Sequence, residues 1–360
     1  MKLGIVGLPN VGKTTLFNAM TGRKAETSSY AMAATVTNLG SAEVPDERLN
    51  WLYDLYKPKK LTFATIDFVD IAGVKKSASG GGMTNSHLAQ IRQCDALVEL
   101  VRCFDDDSIF SENATPAEDV ENFELELILS DLELMERKLE RSRKAAKAEK
   151  KMKETVEFLE SFVAHLSDGK SAKSFKFKES ELAEIEEAGL LSLKPLIYIA
   201  NLSEDSVSNF DEDEYYIELR EYLKDRDALL LPLCAKIEAE ISELEAEEQQ
   251  VFLEELGIGE RALNSLIKAS YSLLGYISFF TVGEDEVRAW TIVNGTKAQR
   301  AAGKIHSDLE RGFIRAEICA FDDMKASGSW NNAKNEGLVR IEGKEYLMKD
   351  GDVTNIRFNV

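Results

Sequence analysis

Histidine and cysteine are scarce in this chain, with 3 His and 4 Cys in 360 residues. Cys94, Cys103, Cys234 and Cys319 stand far apart, and no C-x-x-C pair occurs. That spacing offers neither a metal-site pattern nor a disulfide framework, so buried, reduced thiols in a cytoplasmic protein are expected. With only 6 Pro, the composition is that of an ordinary globular protein. No apolar run nears the roughly 20 residues that cross a bilayer, and the N-terminal residues read at once as a strand rather than a leader. No membrane partner is expected. Basic residues are in deficit, 44 Lys and Arg against 64 Asp and Glu, for a formal net charge of −20. An acidic chain does not coat nucleic acid in general, so no DNA partner is expected, though a local basic patch is compatible with that charge.

What is present is concentrated first at the N-terminus. Gly7-Leu8-Pro9-Asn10-Val11-Gly12-Lys13-Thr14 follows the phosphate-loop pattern of Gly, four residues, Gly, Lys and Ser or Thr. An apolar strand at 2–6 precedes it and an apolar-periodic helix follows, the context the pattern needs. The glycines let the backbone curl so that successive N–H groups face one anion at the positive end of a helix. Asn10, Val11, Gly12, Lys13, Thr14 and Thr15 are therefore candidate phosphate ligands. Lys13 should reach the β- and γ-phosphates, and the Thr14 hydroxyl should take a place on Mg²⁺.

Two further stretches complete a nucleotide site. Asp70-Ile71-Ala72-Gly73 ends an apolar strand, where Asp70 can hold a Mg²⁺-bound water and the Gly73 N–H can meet a γ-phosphate. Residues 77–82, rich in Ser and Gly, suit a switch that responds to that phosphate. Near the end of a later strand stands Asn201-Leu202-Ser203-Glu204, where GTPases generally carry Asn-Lys-x-Asp. Glu is a methylene longer than Asp, and Leu202 offers a base only apolar surface, so strict guanine specificity is not expected. The turn at 234–236 should add Ala235 as a wall or N–H for the base.

At this length two or three domains are expected. Near-continuous apolar strands at 63–71, 96–101, 195–200 and 229–234 alternate with helical stretches, which predicts a mostly parallel sheet covered on both faces. Residues 118–187 lack a strand signal and read as an inserted coiled-coil-like helical hairpin. Between Arg137 and Lys178, 13 basic residues face 6 acidic ones, enough to grip RNA phosphates or simply to solvate a helix face. From 276 onward, short strands at 277–282, 287–292, 313–320, 338–341 and 354–359 predict a mainly β, α+β module. Its Phe279, Phe280 and Phe313 read as core more readily than as stacking platforms for RNA. The division is a nucleotide-binding domain at 1–117 and 195–275, a hairpin at 118–194 and a C-terminal module at 276–360.

Together these segments resemble the YchF-type (Obg-like) ATPases, a branch of the translation-factor-related P-loop NTPases. The resemblance runs along the whole chain: GLPNVGKTT at 7–15, VDIAG at 69–73, NLSE at 201–204, CAKIEAEI at 234–241, ISFFTVGEDEVRAWTI at 277–292 and DGDVTNIRFNV at 350–360. It implies a Ras-like α/β domain, an inserted coiled-coil hairpin and a C-terminal TGS domain of β-grasp type. It further implies Mg²⁺-dependent binding and slow hydrolysis of ATP in preference to GTP, and association with ribosomes. Three departures bear on mechanism. Ala34 falls where the family has a Mg²⁺-coordinating switch Thr, leaving Thr35 one residue late. Ser111 stands where the family often has a His, and the second switch is one residue short. His87, nearby, is a candidate catalytic group. As in the family, Val74 follows the D-x-x-G where many GTPases have a water-orienting Gln, and without such a group hydrolysis should be slow.

The leading expectation is an ATP-dependent switch acting on the ribosome. A nucleotide-gated ribosome- or RNA-binding module with negligible turnover is the second, and a GTPase of ribosome assembly the third.

Overall fold

A computed structural model of the chain describes residues 2–22, 38–72, 83–105, 115–147, 152–226 and 228–359. The expectations for Ala34, Thr35, Gly73, Val74, residues 77–82 and Ser111 lie outside those residues.

The strands, in chain order, are β1 (Lys2–Val6), β2 (Asn38–Glu43), β3 (Lys60–Thr62), β4 (Thr65–Asp70), β5 (Ala96–Cys103), β6 (Leu196–Leu202) and β7 (Leu229–Leu233). They continue as β8 (Tyr276–Val282), β9 (Glu286–Val293), β10 (Phe313–Ala320), β11 (Arg340–Glu342) and β12 (Asp352–Phe358). The helices used below are α1 (Lys13–Thr21), α2 (Glu47–Tyr56), α3 (Asn85–Arg92), α4 (Pro116–Ala146), α5 (Met152–Ser167), α6 (Glu179–Ala188), α7 (Glu214–Leu223) and α8 (Ala235–Glu243).

The chain forms two compact units, residues 1–40 with 67–263 and residues 41–66 with 264–360. A six-stranded sheet in the order β2-β4-β1-β5-β6-β7 organises the first. β1 runs parallel to both β4 and β5, and β5, β6 and β7 are parallel in turn. Such a sheet must bury both faces, and β5 and β6 are buried almost throughout. On one face Val6, Val69, Leu97 and Ile91 pack with Phe123 and Leu127 of α4. Further along that face Val101, Cys103, Tyr198, Ala200 and Leu202 meet Tyr216, Leu219 and Leu223 of α7. All four cysteines are buried and unpaired, as the sequence predicts.

The inserted helices begin with a strong start signal. Thr115 accepts from the Glu118 N–H while Glu118 accepts from the Thr115 N–H, and Pro116 opens the first turn. α4 then runs for 31 residues. Ile128, Met135 and Leu139, at helical spacing, pack with Phe158, Leu159, Phe162 and Leu166 of α5. Asp131, fully buried in α4, accepts from the Leu191 and Ser192 N–H groups at 2.8 Å each, which ties the returning chain to the helix.

One acidic residue interrupts the apolar run of β5. Glu99 is 3% exposed, and its Oε2 has no partner among the described residues. Burial, with Glu124 and Asp119 of α4 nearby, holds its carboxyl well above the usual carboxylate range. Glu124 itself accepts from Tyr198 Oη at 2.5 Å and pairs with Arg226 at 2.6 Å.

The second unit is built on a mixed sheet ordered β11-β10-β12-β8-β9-β3. β8 is antiparallel to β9 and parallel to β12, while β10 is antiparallel to β12 and β11. Phe279, Phe280 and Phe313 are buried in it, the core role expected of them. Residues 41–66, read from sequence as part of the nucleotide-binding domain, lie in this unit. β3 pairs in parallel with β9, and Arg48 of α2 bonds Asp350 Oδ2 at 2.7 Å with its guanidinium over the Phe280 ring.

Candidate functional site

The order of the first sheet places β1 between β4 and β5, with later strands on one side only. Loops at the carboxyl ends of strands therefore gather at a reversal of strand order, where open α/β sheets bind ligands. The loop between β1 and α1 holds three residues in left-handed or extended positive-φ conformations: Gly7 (φ 141°), Asn10 (φ 63°) and Gly12 (φ 91°). Space also demands glycine at Gly7 and is tight at Gly12. A Cβ at Gly7 would sit 2.5 Å from the Leu100 carbonyl oxygen, and one at Gly12 3.0 Å from Asn201 Nδ2. Leu100 is a wall of this loop that no motif announces.

Lys13, the first residue of α1, is 6% exposed and donates through Nζ to the Leu8 carbonyl at 2.5 Å. Burial pulls its pKa down to about 8, with the Asp70 carboxylate pulling the other way. The Thr14 hydroxyl donates to Asp70 Oδ2 at 2.9 Å, joining residues 56 positions apart. Asp70, ending β4, is itself buried. Val11 is buried, Asn10 is exposed, and Thr15 is half-buried in the first turn of α1.

Asn201 binds the pieces together. Its Nδ2 donates to the Val11 carbonyl at 2.8 Å, and its Oδ1 accepts from the Ala235 N–H at 2.9 Å. The residue is 4% exposed, so a base-reading position in the sequence serves here as a strut between the phosphate-loop backbone and the start of α8. Leu202 is not brought to the site. Successive side chains on a strand face opposite ways, and Leu202 lies with Tyr198 and Ala200 in the core beneath α7, at 2% exposure. The expectation that Leu202 presents its apolar surface to the base is corrected accordingly. Glu204, beyond the strand, is exposed and pairs with Lys236 of α8 at 2.6 Å, a partner the sequence reading missed.

His87 lies in the first turn of α3. Thr84 caps that helix and its Oγ1 contacts His87 Nδ1 at 3.0 Å. Burial lowers the imidazole pKa, and the Lys13 charge lowers it further, which places the ring within the electrostatic reach of the phosphate loop. A neutral imidazole results at pH 7.

A parallel sheet with this glycine loop at the end of its first strand, a buried lysine at the head of the following helix and an aspartate ending a neighbouring strand defines a P-loop NTPase fold of the GTPase type. A domain family described as "50S ribosome-binding GTPase" matches residues 2–134, and the YchF GTPase C-terminal family, described as a protein of unknown function, matches 276–359. The chain is 49% identical to the "Ribosome-binding ATPase YchF" of Bacillus subtilis (strain 168), covering 99% of each sequence. It is 42% identical to the protein of that name from Escherichia coli O157:H7, covering 100% of this chain and 99% of that one. A solved structure, the Schizosaccharomyces pombe YchF GTPase, superposes with a TM-score of 0.86 at 33% identity, over 99% of this chain and 97% of the other. The chain belongs to the YchF family.

Proposed function

We propose that this chain is a ribosome-associated nucleotide switch of the cytoplasm that binds Mg²⁺–ATP in preference to GTP and hydrolyses it slowly to ADP and phosphate. The observation that carries the reading is the convergence of the buried Lys13 ammonium, the Thr14–Asp70 hydrogen bond and the Asn201 strut on one loop. In this reading Lys13 exchanges the Leu8 carbonyl for the β- and γ-phosphates. The N–H groups from Asn10 to Thr15 take the remaining phosphate oxygens. The Thr14 hydroxyl and Asp70, bonded to each other here, would hold Mg²⁺, Asp70 through a water. These hard oxygen donors fit that ion. Among the described residues no group of three or more His, Cys, Asp or Glu could hold a metal by itself, which accords with an ion that arrives on the phosphates. When bound, Mg²⁺ neutralises phosphate charge. Gly73 would offer its N–H to the γ-phosphate, and Thr35, or backbone near Ala34, would complete the metal's ligands.

Glu204 supports the choice of base. A carboxylate that reads guanine must accept from two N–H groups, whereas here it is engaged by Lys236 at 2.6 Å. Ribosome association rests on the names of the full-length relatives. The exposed Arg141, Lys144 and Lys147 near the end of α4 suit an RNA backbone, within an inserted helical hairpin at 118–194. No helix among the described residues is long and apolar enough to cross a membrane.

Competition of ATP and GTP against a fluorescent nucleotide, with Mg²⁺, tests the base: tighter GTP binding refutes the ATP reading. Ribosome co-sedimentation that ignores whether ATP or ADP is present refutes the switch. The second reading, a module that binds nucleotide with negligible turnover, is favoured by Val74 in place of a water-orienting side chain. Single-turnover hydrolysis decides between the two. A rate well above background that Lys13→Ala abolishes excludes the module, and a further loss in His87→Ala assigns the imidazole a part in the chemistry.

A further inference from the structure

Helix α3 touches both the apolar support of the phosphate site and the long helix α4. It is fastened to α4 at both ends. At its start the Met83 N–H donates to Glu126 Oε2 at 3.0 Å. At its end Arg92 Nη2 donates to Ser130 Oγ, one turn further along α4, at 3.3 Å. Between these bonds Leu88 and Ile91 pack with Phe123 and Leu127 of α4. The same apolar cluster takes in Val6, which precedes Gly7, and Val69 and Ile71, which flank Asp70. His87, in the first turn of α3, feels the Lys13 charge. A shift of the phosphate loop or of Asp70 therefore bears on α3, and α3 bears on α4.

A glutamate on the side of a helix ordinarily faces water, and α3 already has its own N-cap in Thr84. The bond from Met83 to Glu126 is additional to what the helix needs, and it spans 43 positions of chain. A carboxylate accepting from a backbone N–H makes a strong tie of this kind. α4 continues beyond Glu126 to Ala146, about 30 Å at the rise of an α-helix. Asp131, little more than a turn past Glu126, holds the Leu191 and Ser192 N–H groups of the returning chain. Displacing α4 at Glu126 and Ser130 thus carries both legs of the inserted hairpin. Rigid helices joined by packing and hydrogen bonds are the elements that convey such shifts between distant sites.

We propose that Glu126 is the joint through which nucleotide state reaches the hairpin: its bond to Met83, with that of Arg92 to Ser130, makes α3 and α4 move together, so that exchanging ADP for ATP repositions the hairpin. This rests on the nucleotide-switch reading of the phosphate site and supplies its route outward. All four native cysteines are buried, so spin labels can be directed to Lys144→Cys near the end of α4 and Glu221→Cys on α7, both exposed positions. Pulsed dipolar spectroscopy on the labelled full-length protein compares Mg²⁺–ADP with a non-hydrolysable Mg²⁺–ATP analogue, at concentrations that a parallel titration shows to be saturating. The label separation should differ between the two states by about 2 Å or more, the size of helix shifts at switching interfaces, and by less than about 1 Å once Glu126→Ala is added. Glu126→Gln keeps an oxygen that accepts from the Met83 N–H and should restore the difference. Ser130→Ala, a milder change at the other end of the joint, should reduce it. A carboxylate that only holds the fold together would lower the melting temperature in Glu126→Ala and leave the difference between states intact. The proposal is overturned by nucleotide binding without a change of separation in the wild type, by a change undiminished in Glu126→Ala, or by no recovery in Glu126→Gln. Absence of nucleotide binding by the wild type refutes the reading of the site and the proposal with it. Ribosome co-sedimentation that ignores nucleotide while the separation changes refutes the ribosome switch and supports the joint.

Discussion

Lys13 carries a titration that nucleotide binding should reveal. In the free protein burial holds its pKa at about 8 against an ordinary value of 10.5. That difference corresponds to about 3 kcal/mol favouring the neutral amine over the ammonium, relative to water. At pH 8 about half of the molecules therefore lack the charge that a triphosphate needs. Bringing the β- and γ-phosphates to Nζ restores it, so binding should take up about 0.5 proton per nucleotide at pH 8 and about 0.1 at pH 7. A terminal phosphate titrates near pH 6 to 7 and is already ionised at pH 8, so it adds little there. Calorimetric titration of Mg²⁺–ATP in buffers of different ionisation enthalpy measures the uptake directly as the slope of observed heat against buffer enthalpy. Lys13→Arg, which cannot titrate in this range, should flatten the slope at pH 8. A zero slope in the wild-type protein at pH 8, or a slope that survives Lys13→Arg, would refute the reasoning that ties the buried lysine to the phosphates.

Glu99→Gln should stabilise the protein at pH 7–8. The folded carboxyl holds its proton above the range where the unfolded one releases it, so this group's contribution to stability is full below about pH 4 and is lost as pH rises toward the folded pKa, by up to about 1.4 kcal/mol per pH unit; urea titrations from pH 5 to 8 should show the wild type losing stability relative to the variant as pH rises. Asn201→Ala leaves the Val11 carbonyl and the Ala235 N–H without their partner, and should cost about 2–4 kcal/mol of stability as well as nucleotide affinity, read by denaturant melts and equilibrium binding. Leu202→Lys, made to imitate the GTPase motif, should destabilise by several kcal/mol without conferring GTP preference, because it buries an ammonium under α7; a folded variant with GTP selectivity would contradict the placement of that side chain. Lys236→Ala should free Glu204 and narrow the gap between ATP and GTP in the competition assay.

Much of the site was legible because its residues are constrained locally. The phosphate-loop pattern fixes Gly7, Gly12, Lys13 and Thr14 within one turn of chain, and an aspartate closing an apolar strand is easily recognised. What escaped depends on which way a side chain faces. Asn201 and Leu202 are neighbours in a motif, yet the pleat sends one to the loop and the other to the core, and sequence spacing alone does not say which. Lys236 was invisible as the partner of Glu204 because the pair joins two segments through space. Glu99 did leave a signal: a lone acid in the run ALVELV has no business in a buried strand unless its environment keeps it neutral. The fold class and the inserted hairpin followed from periodicity, which reports local structure well. The membership of residues 41–66 did not, since short amphipathic elements carry no address for a distant sheet.

That membership imposes an order on synthesis. Thr62 of β3 bonds Glu286 of β9 across 224 residues of chain. At translation speeds of roughly 5–20 residues per second, the early segment waits about 10–45 s before its partner strand has been made. During that interval Leu49 and Leu52, later fully buried, have no finished sheet to cover them. The nascent chain therefore carries an unfinished apolar helix through most of its own production, a natural point for chaperone capture. A fragment cut at residue 276 would likewise be missing one edge strand and a covering helix.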